Sequence, residues 1–257
     1  MSSTSVPEGT TASPPATTTN DAPSSTGTTT DGSTGSDPTT TSTTGLDSTG
    51  PAASTGGDDG LGTLSGECGL IDAMELRSAS PFSFENAIDF RREGFDYDQL
   101  TPDGQAVFDA GNLGGSSLHS EVIAFEVLAR CEGATLLETE GTVQYLDDMG
   151  TKTDLLVDIG GLTVGVSVTR AVGFPQEDPY TVMQAEEILV DKLEDVLDSS
   201  ANVAPRHQWV KQILHVIAYA DMHAQSIFTA YAALPPALTA DTVLVVTVTH
   251  GEDAFIY

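Results

Sequence analysis

The arrangement of apolar and polar positions predicts an alternation of helices and strands through the second half of the chain. In LHSEVIAFEVLARCEG, residues 118–133, Leu118, Val122, Phe125 and Leu128 recur at helical spacing and give one apolar stripe. Residues 153–159 and 163–170 are β-branched and apolar enough for two strands, and Gly160-Gly161 between them is a tight-turn dipeptide. If those glycines form a two-residue loop, Ile159 faces Leu162 and Asp154 faces Ser167. YTVMQAEEILVDKLEDVLDSS is an amphipathic helix with Val182, Ala185, Leu189 and Val196 in its stripe and Lys192 at its edge. WVKQILHVIAYADMHAQSIFTAYAAL, apolar on most sides, reads as one long buried helix. TVLVVTVTH is a near-continuous apolar run and reads as a buried central strand, and FIY as an edge strand.

The remaining segments are less regular. Thr101-Pro102 followed by DGQAVFDAG has the N-cap, first-turn proline and closing glycine of a short helix. ATLLETEGTVQYL is expected to hold a strand in its second half. PFSFENAIDFRREGFDYDQL is expected to wrap the core as loops and short helices. The fold expected is α/β: a central mixed β-sheet flanked by helices, with core order αβββααβ over about residues 115–250.

The hairpin has two unlike faces. Leu155, Val157 and Ile159 with Val164, Val166 and Val168 are wholly apolar. Asp154, Leu156 and Asp158 with Thr163, Gly165, Ser167 and Thr169 make a polar face of short side chains, which leaves a hollow around the aspartate. On the preceding helix, Glu121 lies within the stripe, three residues after Leu118 and four before Phe125. It either faces inward, where an ionised carboxylate calls for a cation, a metal or a hydrogen-bond network, or snorkels outward at the rim.

Composition separates the first quarter of the chain from the rest. Residues 1–65 hold no Lys or Arg, and about half are Ser or Thr, too few large apolar groups to offset the entropy of ordering. A disordered Ser/Thr/Gly/Pro-rich tether is expected there, with one globular domain over residues 66–257. The net charge is −29, which opposes a broad nucleic-acid-binding surface and leaves room only for a local one. No run of about 18 apolar residues marks a transmembrane span. The two cysteines, Cys68 and Cys131, would pair in an oxidising compartment and remain separate thiols in the cytosol. The five histidines show no metal-chelating spacing, and His215 and His223 read as satisfied core or boundary residues.

The helix bearing an inward glutamate, followed by strands whose second opens on an aspartate, resembles the PD-(D/E)xK, or restriction-endonuclease-like, nuclease superfamily. The resemblance covers residues 115–250. It implies that Glu121 and Asp154 hold Mg²⁺ or Mn²⁺ for phosphodiester hydrolysis, hard oxygen ligands suiting such ions. The chain departs from the family where a Glu-x-Lys is expected: those positions are Ser167-Val168-Thr169, and Thr153 stands where the motif has proline. Some members relocate the lysine, and Lys192 is then the catalytic candidate, with Lys152 and Arg170 as phosphate contacts. The tether resembles the stalks of bacterial surface lipoproteins, which implies an exported or cell-surface protein; a cytoplasmic one is the alternative. The functional expectation is a divergent or degenerate metal-dependent nuclease-like domain, and the alternative is a non-catalytic, surface-displayed binding or structural domain.

Overall fold

The computed structural model describes residues 60–113 and 115–257. The tether expected over residues 1–65 lies outside the described residues except for its last six positions, and those already belong to the domain. Leu61 is buried, and β1, Thr63–Gly66, forms the outer strand of the sheet, so the domain begins ahead of residue 66.

The remaining elements are α1 (Ala73–Arg77), β2 (Phe82–Asp89), α2 (Pro102–Ala110), α3 (Leu118–Glu132), β3 (Thr135–Thr139), β4 (Leu155–Ile159), β5 (Leu162–Ala171), α4 (Val182–Asn202), β6 (Lys211–Ala218), α5 (Asp221–Tyr231), α6 (Pro236–Thr239) and β7 (Thr242–His250). The strands make one mixed sheet in the order β1-β2-β7-β6-β5-β4-β3. β2, β7, β6 and β5 run parallel, while β1, β4 and β3 pair antiparallel to their neighbours. This is the expected α/β class with a mixed sheet flanked by helices.

Four segments differ from expectation. Residues 211–218 form a strand, where one helix was expected through residue 234, so the core reads αβββαβ before α5, α6 and β7. The reason is burial on both faces: all eight residues of β6 are buried between β5 and β7, and an apolar run with both sides covered has no period to tell helix from strand. PFSFENAID contains β2 rather than loops and short helices, and Asn86 within it is buried because it accepts the Thr247 hydroxyl at 2.6 Å. In ATLLETEGTVQYL the strand lies in the first half. At the end of the chain, FIY is no strand; Ile256 is buried and Tyr257 meets the Thr249 hydroxyl at 2.9 Å.

The hairpin has the anticipated register, Ile159 facing Leu162, with Gly160 and Gly161 at φ 60° and 82°, the left-handed conformations of a type I′ turn. Its apolar face joins Val122, Phe125 and Leu128 of α3 in the larger core. α4 and α5 cover the opposite face of the sheet through Leu189, Leu193 and Ile227 against Leu214, Val216 and Val246. Thr101 caps α2 by accepting the Gly104 N–H, and Thr181 with Gln184 makes a capping box on α4. Cys68 and Cys131 are bridged, joining the segment after β1 to the last turn of α3. Among the described residues no helix is long and apolar enough to cross a membrane.

Candidate functional site

β5 is twice as long as β4, and the site lies where β4 gives out. The ladder ends with Leu155 opposite Val166, followed by an Asp154 N–H donated to the Val166 carbonyl at 3.0 Å. Beyond that point the side of β5 that faced β4 has no strand against it among the described residues. The Asp154 side chain occupies the gap: its Oδ2 accepts the Val168 N–H at 2.6 Å. A carboxylate thus replaces the backbone carbonyl that a longer β4 would have supplied.

Glu121 approaches from the first turn of α3. It is 2 % exposed, so it faces inward, and its Oε1 accepts the Ser117 hydroxyl at 2.7 Å. Ser117 in turn accepts the Asn112 amide at 2.8 Å. Burial raises the Glu121 carboxyl, while Ser117 and Asn112 pull it back down and the Glu140 charge raises it further.

The structure brings Glu121 and Asp154 into mutual electrostatic reach. Asp154 is pushed up to about 7, first by burial and then by the Glu121 charge; the Val168 N–H lowers it, Glu140 raises it and Lys192 lowers it least. Two carboxylates that repel one another at a desolvated strand head favour either retention of a proton or the approach of a cation. Glu140 is a third acid that sequence reasoning did not single out. It follows β3, and it is held by accepting the Leu113 N–H at 3.1 Å. Among the described residues, no group of three or more His, Cys, Asp or Glu side chains is gathered closely enough to hold a metal ion. A cation here would rest on Glu121 and Asp154 and complete its shell with water, as Mg²⁺ commonly does.

The other candidates are dispersed. Lys192 pairs with Asp195 at 3.4 Å and touches Asp154 only through its charge. Lys152 lies over the Tyr145 ring, 6.0 Å from its centroid. Arg170 reaches the Ile256 carbonyl at 2.7 Å and the Ser116 hydroxyl at 3.1 Å, just ahead of α3. Lys211 is buried: its Nζ donates to the carbonyls of Glu75, Ser78 and Ser80 at 3.2, 2.6 and 2.7 Å, fastening the end of α1. His215 and His223 are buried within the fold. His215 Nε2 meets the Thr247 hydroxyl at 2.7 Å, and burial takes its pKa down to about 3; His223 Nδ1 lies 3.1 Å from the Ala171 carbonyl.

The hollow expected over Ser167 is filled. Alternation predicts Asp154 on the Ser167 face, but Thr153 takes that place, its hydroxyl 3.4 Å from Ser167 Oγ and donating to the Val166 carbonyl at 2.9 Å. Gln212 of β6 covers both: Ser167 donates to its Oε1 at 3.3 Å, while its Nε2 donates to Val196 O and to the Ser199 and Ser200 hydroxyls of α4. Nearby, Trp209 packs over Gly165, where an added Cβ would lie 3.1 Å from the indole. A polar residue inside VKQILHVIA was the available sign, and reading that stretch as helix hid it. Thr169 is different: half-buried, it lines a cavity of about 650 Å³ with Arg170, Ser116, Phe174 and Tyr257.

No family model matches the chain. Over 198 residues the chain is 36% identical to the AAC-rich mRNA clone AAC4 protein of Dictyostelium discoideum, a match that takes in 73% of this chain and 26% of that protein. The chain therefore spans about a quarter of that relative's length. Among solved structures, SfsA of Pyrococcus furiosus in complex with Ca²⁺ is similar at a TM-score of 0.26 and 10% identity, over 52% of this chain and 56% of that one. The function is accordingly argued from the residues themselves.

Proposed function

We propose that the domain is a divergent nuclease-like domain whose Glu121 and Asp154 hold one divalent cation, Mg²⁺ or Mn²⁺, for phosphodiester hydrolysis. The observation that carries this reading is the meeting of two buried acids at the end of β4, where burial first and the Glu121 charge second raise Asp154 to about 7. A cation between them would relieve that repulsion and supply the charge that neutralises a phosphate and activates water. The protein's own contribution is placement: the Val168 N–H fixes Asp154, and the Asn112–Ser117 chain fixes Glu121. Lys192, drawn away by Asp195, would serve as the relocated lysine only by swinging toward the site.

A second reading is a non-catalytic binding or structural domain, and the Thr153–Ser167–Gln212 network favours it. Those side chains fill with a closed hydrogen-bonded core the place where the superfamily that the chain resembles carries Glu, while the place of its Lys, Thr169, lies open. Export to the cell surface, proposed from the composition of residues 1–65, accords with the Cys68–Cys131 bridge.

The test is to incubate the full chain with single-stranded and plasmid DNA, with Mg²⁺, Mn²⁺ or EDTA, beside Glu121→Ala and Asp154→Ala. Cation-dependent cleavage that both variants abolish supports hydrolysis. No cleavage, or cleavage unaltered in both, overturns it and leaves the non-catalytic reading.

A further inference from the structure

A cavity lined by Thr169, Phe174, Glu177 and Tyr257 is walled by Arg170, a cation without a carboxylate in ion-pair reach among the described residues. Arg170 donates to three neutral oxygens, Ile256 O at 2.7 Å, Ser116 Oγ at 3.1 Å and Ser116 O at 3.5 Å. No carboxylate lies within ion-pair distance of it among the described residues, in a chain with 38 acidic side chains. A guanidinium carries five N–H donors, so donors remain after these contacts. The surrounding neutral oxygens orient the fork without neutralising it, which suits an anion that can accept two parallel N–H bonds, such as a phosphate.

The rest of the cavity is suited to a flat ring. Phe174, on the loop after β5, lines it and is 97% exposed, so an aromatic face is offered where nothing in the fold covers it. Tyr257 and Thr169 add hydroxyls to the wall, and Glu177 adds an acceptor on the same loop as Phe174. Arg170 and Val168 are two residues apart along β5, about 6.6 Å at strand rise. The arginine therefore stands one short step from the N–H that holds Asp154.

We infer that this cavity holds one nucleotide of a single-stranded nucleic acid, its phosphate on Arg170 and its base against Phe174. The inference rests on the reading of Glu121 and Asp154 as a phosphodiester site, and adds the substrate class: an unpaired strand or strand end. A paired base cannot leave its stack to meet Phe174 without an unstacking cost, and the charge of −29 offers a duplex backbone no compensating surface. Base stacking on an aromatic ring tolerates any base, so selectivity is for strandedness rather than sequence.

The experiment is equilibrium binding in EDTA, which separates binding from cleavage. A short fluorescein-labelled single-stranded oligodeoxynucleotide and its duplex are titrated with the full chain, with Phe174→Ala and with Arg170→Gln. The single strand is expected to bind more tightly than the duplex, and each substitution to weaken it about tenfold. Phe174 is exposed, so its variant reports on binding even if Arg170→Gln disturbs the Ile256 contact. Equal affinity for duplex and single strand, no binding by the parent chain, or affinity unchanged by Phe174→Ala overturns the inference. If the strand binds as expected while Glu121→Ala and Asp154→Ala leave cleavage unaltered, the hydrolytic reading fails and the nucleotide site stands. If cleavage depends on the carboxylates but Phe174→Ala leaves binding unchanged, the reverse holds.

Discussion

Asp154 takes the Val168 N–H at 2.6 Å, at the position where β4 stops and β5 continues. The bond substitutes a side chain for a missing strand, and it also fixes a carboxylate beside Glu121. One contact thus closes the sheet edge and creates the repulsion that defines the site. Because both consequences follow from the same oxygen, they can be separated by changing charge while keeping the acceptor.

Asp154→Asn does this. The Asp154 carboxyl sits at about 7 in the folded protein against 3.8 ordinarily, so the folded state keeps a proton that the unfolded chain releases. That contribution to stability is complete below about pH 4 and is lost as the pH rises through 7. Asparagine keeps an acceptor for Val168 and never ionises. Relative to the parent, the variant should gain about 1–3 kcal/mol between pH 5 and pH 8, the full value being cut by partial solvent contact. Urea unfolding at the two pH values checks it; an unchanged difference would mean that Asp154 is not raised.

Divalent cation should act in the opposite sense at high pH. If Mg²⁺ or Mn²⁺ binds the ionised pair, it stabilises the folded state by mass action and displaces the proton from Asp154. Thermal unfolding should shift upward by a few degrees with millimolar cation at pH 8 and much less at pH 5. Asp154→Asn and Glu121→Gln should each remove the pH 8 shift. A shift that survives both substitutions would place the ion elsewhere.

How much of this was legible depended on whether a segment's period survived its burial. The hairpin could be read because Gly160-Gly161 demands left-handed backbone and the flanking β-branched residues alternate around it. β7 could be read from its length and composition. β6 could not, since Ile213, Leu214, Val216 and Ile217 face two different cores, and neither face is polar enough to mark a period. β2 carries its phenylalanines half-buried and its Asn86 buried, an inversion resolved only by Thr247. At the site, Asp154 was visible as an acid at a strand head and Glu121 as an acid within an apolar stripe. Glu140 carries no such mark, since it follows a strand whose polar and apolar positions do not alternate cleanly, and Gln212 lies within the β6 run that has no period.

Lys211→Met should destabilise the fold without altering the site. Methionine retains most of the stem and its packing near Phe82, whose ring centroid lies 5.3 Å from Nζ. The carbonyls of Glu75, Ser78 and Ser80 would lose their shared donor, at a cost of about 2–4 kcal/mol. Urea midpoints read the loss, with an unchanged slope if unfolding remains two-state. A change below about 0.5 kcal/mol would show that water replaces the ammonium without penalty.

Placing a glutamate at residue 167, as the proposed nuclease reading would require of that strand position, should fail, and the failure tests whether the buried network excludes it. Ser167 is 5 % exposed and packed beneath Gln212, whose Nε2 is already committed to Val196, Ser199 and Ser200. The Gln212 oxygen facing residue 167 is an acceptor, as is the oxygen of an ionised glutamate, so Ser167→Glu would bury a larger charged group against a like dipole. A cost of about 3–5 kcal/mol is expected, with no gain in cleavage. Adding Gln212→Ala removes both the bulk and the opposing oxygen, and should recover part of the loss. Thr169→Lys, by contrast, enters the open cavity beside Arg170 and should change stability by about 0.5 kcal/mol or less. Thermal unfolding of the four proteins separates the cases. A Ser167→Glu protein as stable as its parent would mean that α4 and Gln212 yield readily, and that the Thr153–Ser167–Gln212 core is no barrier to a carboxylate at residue 167.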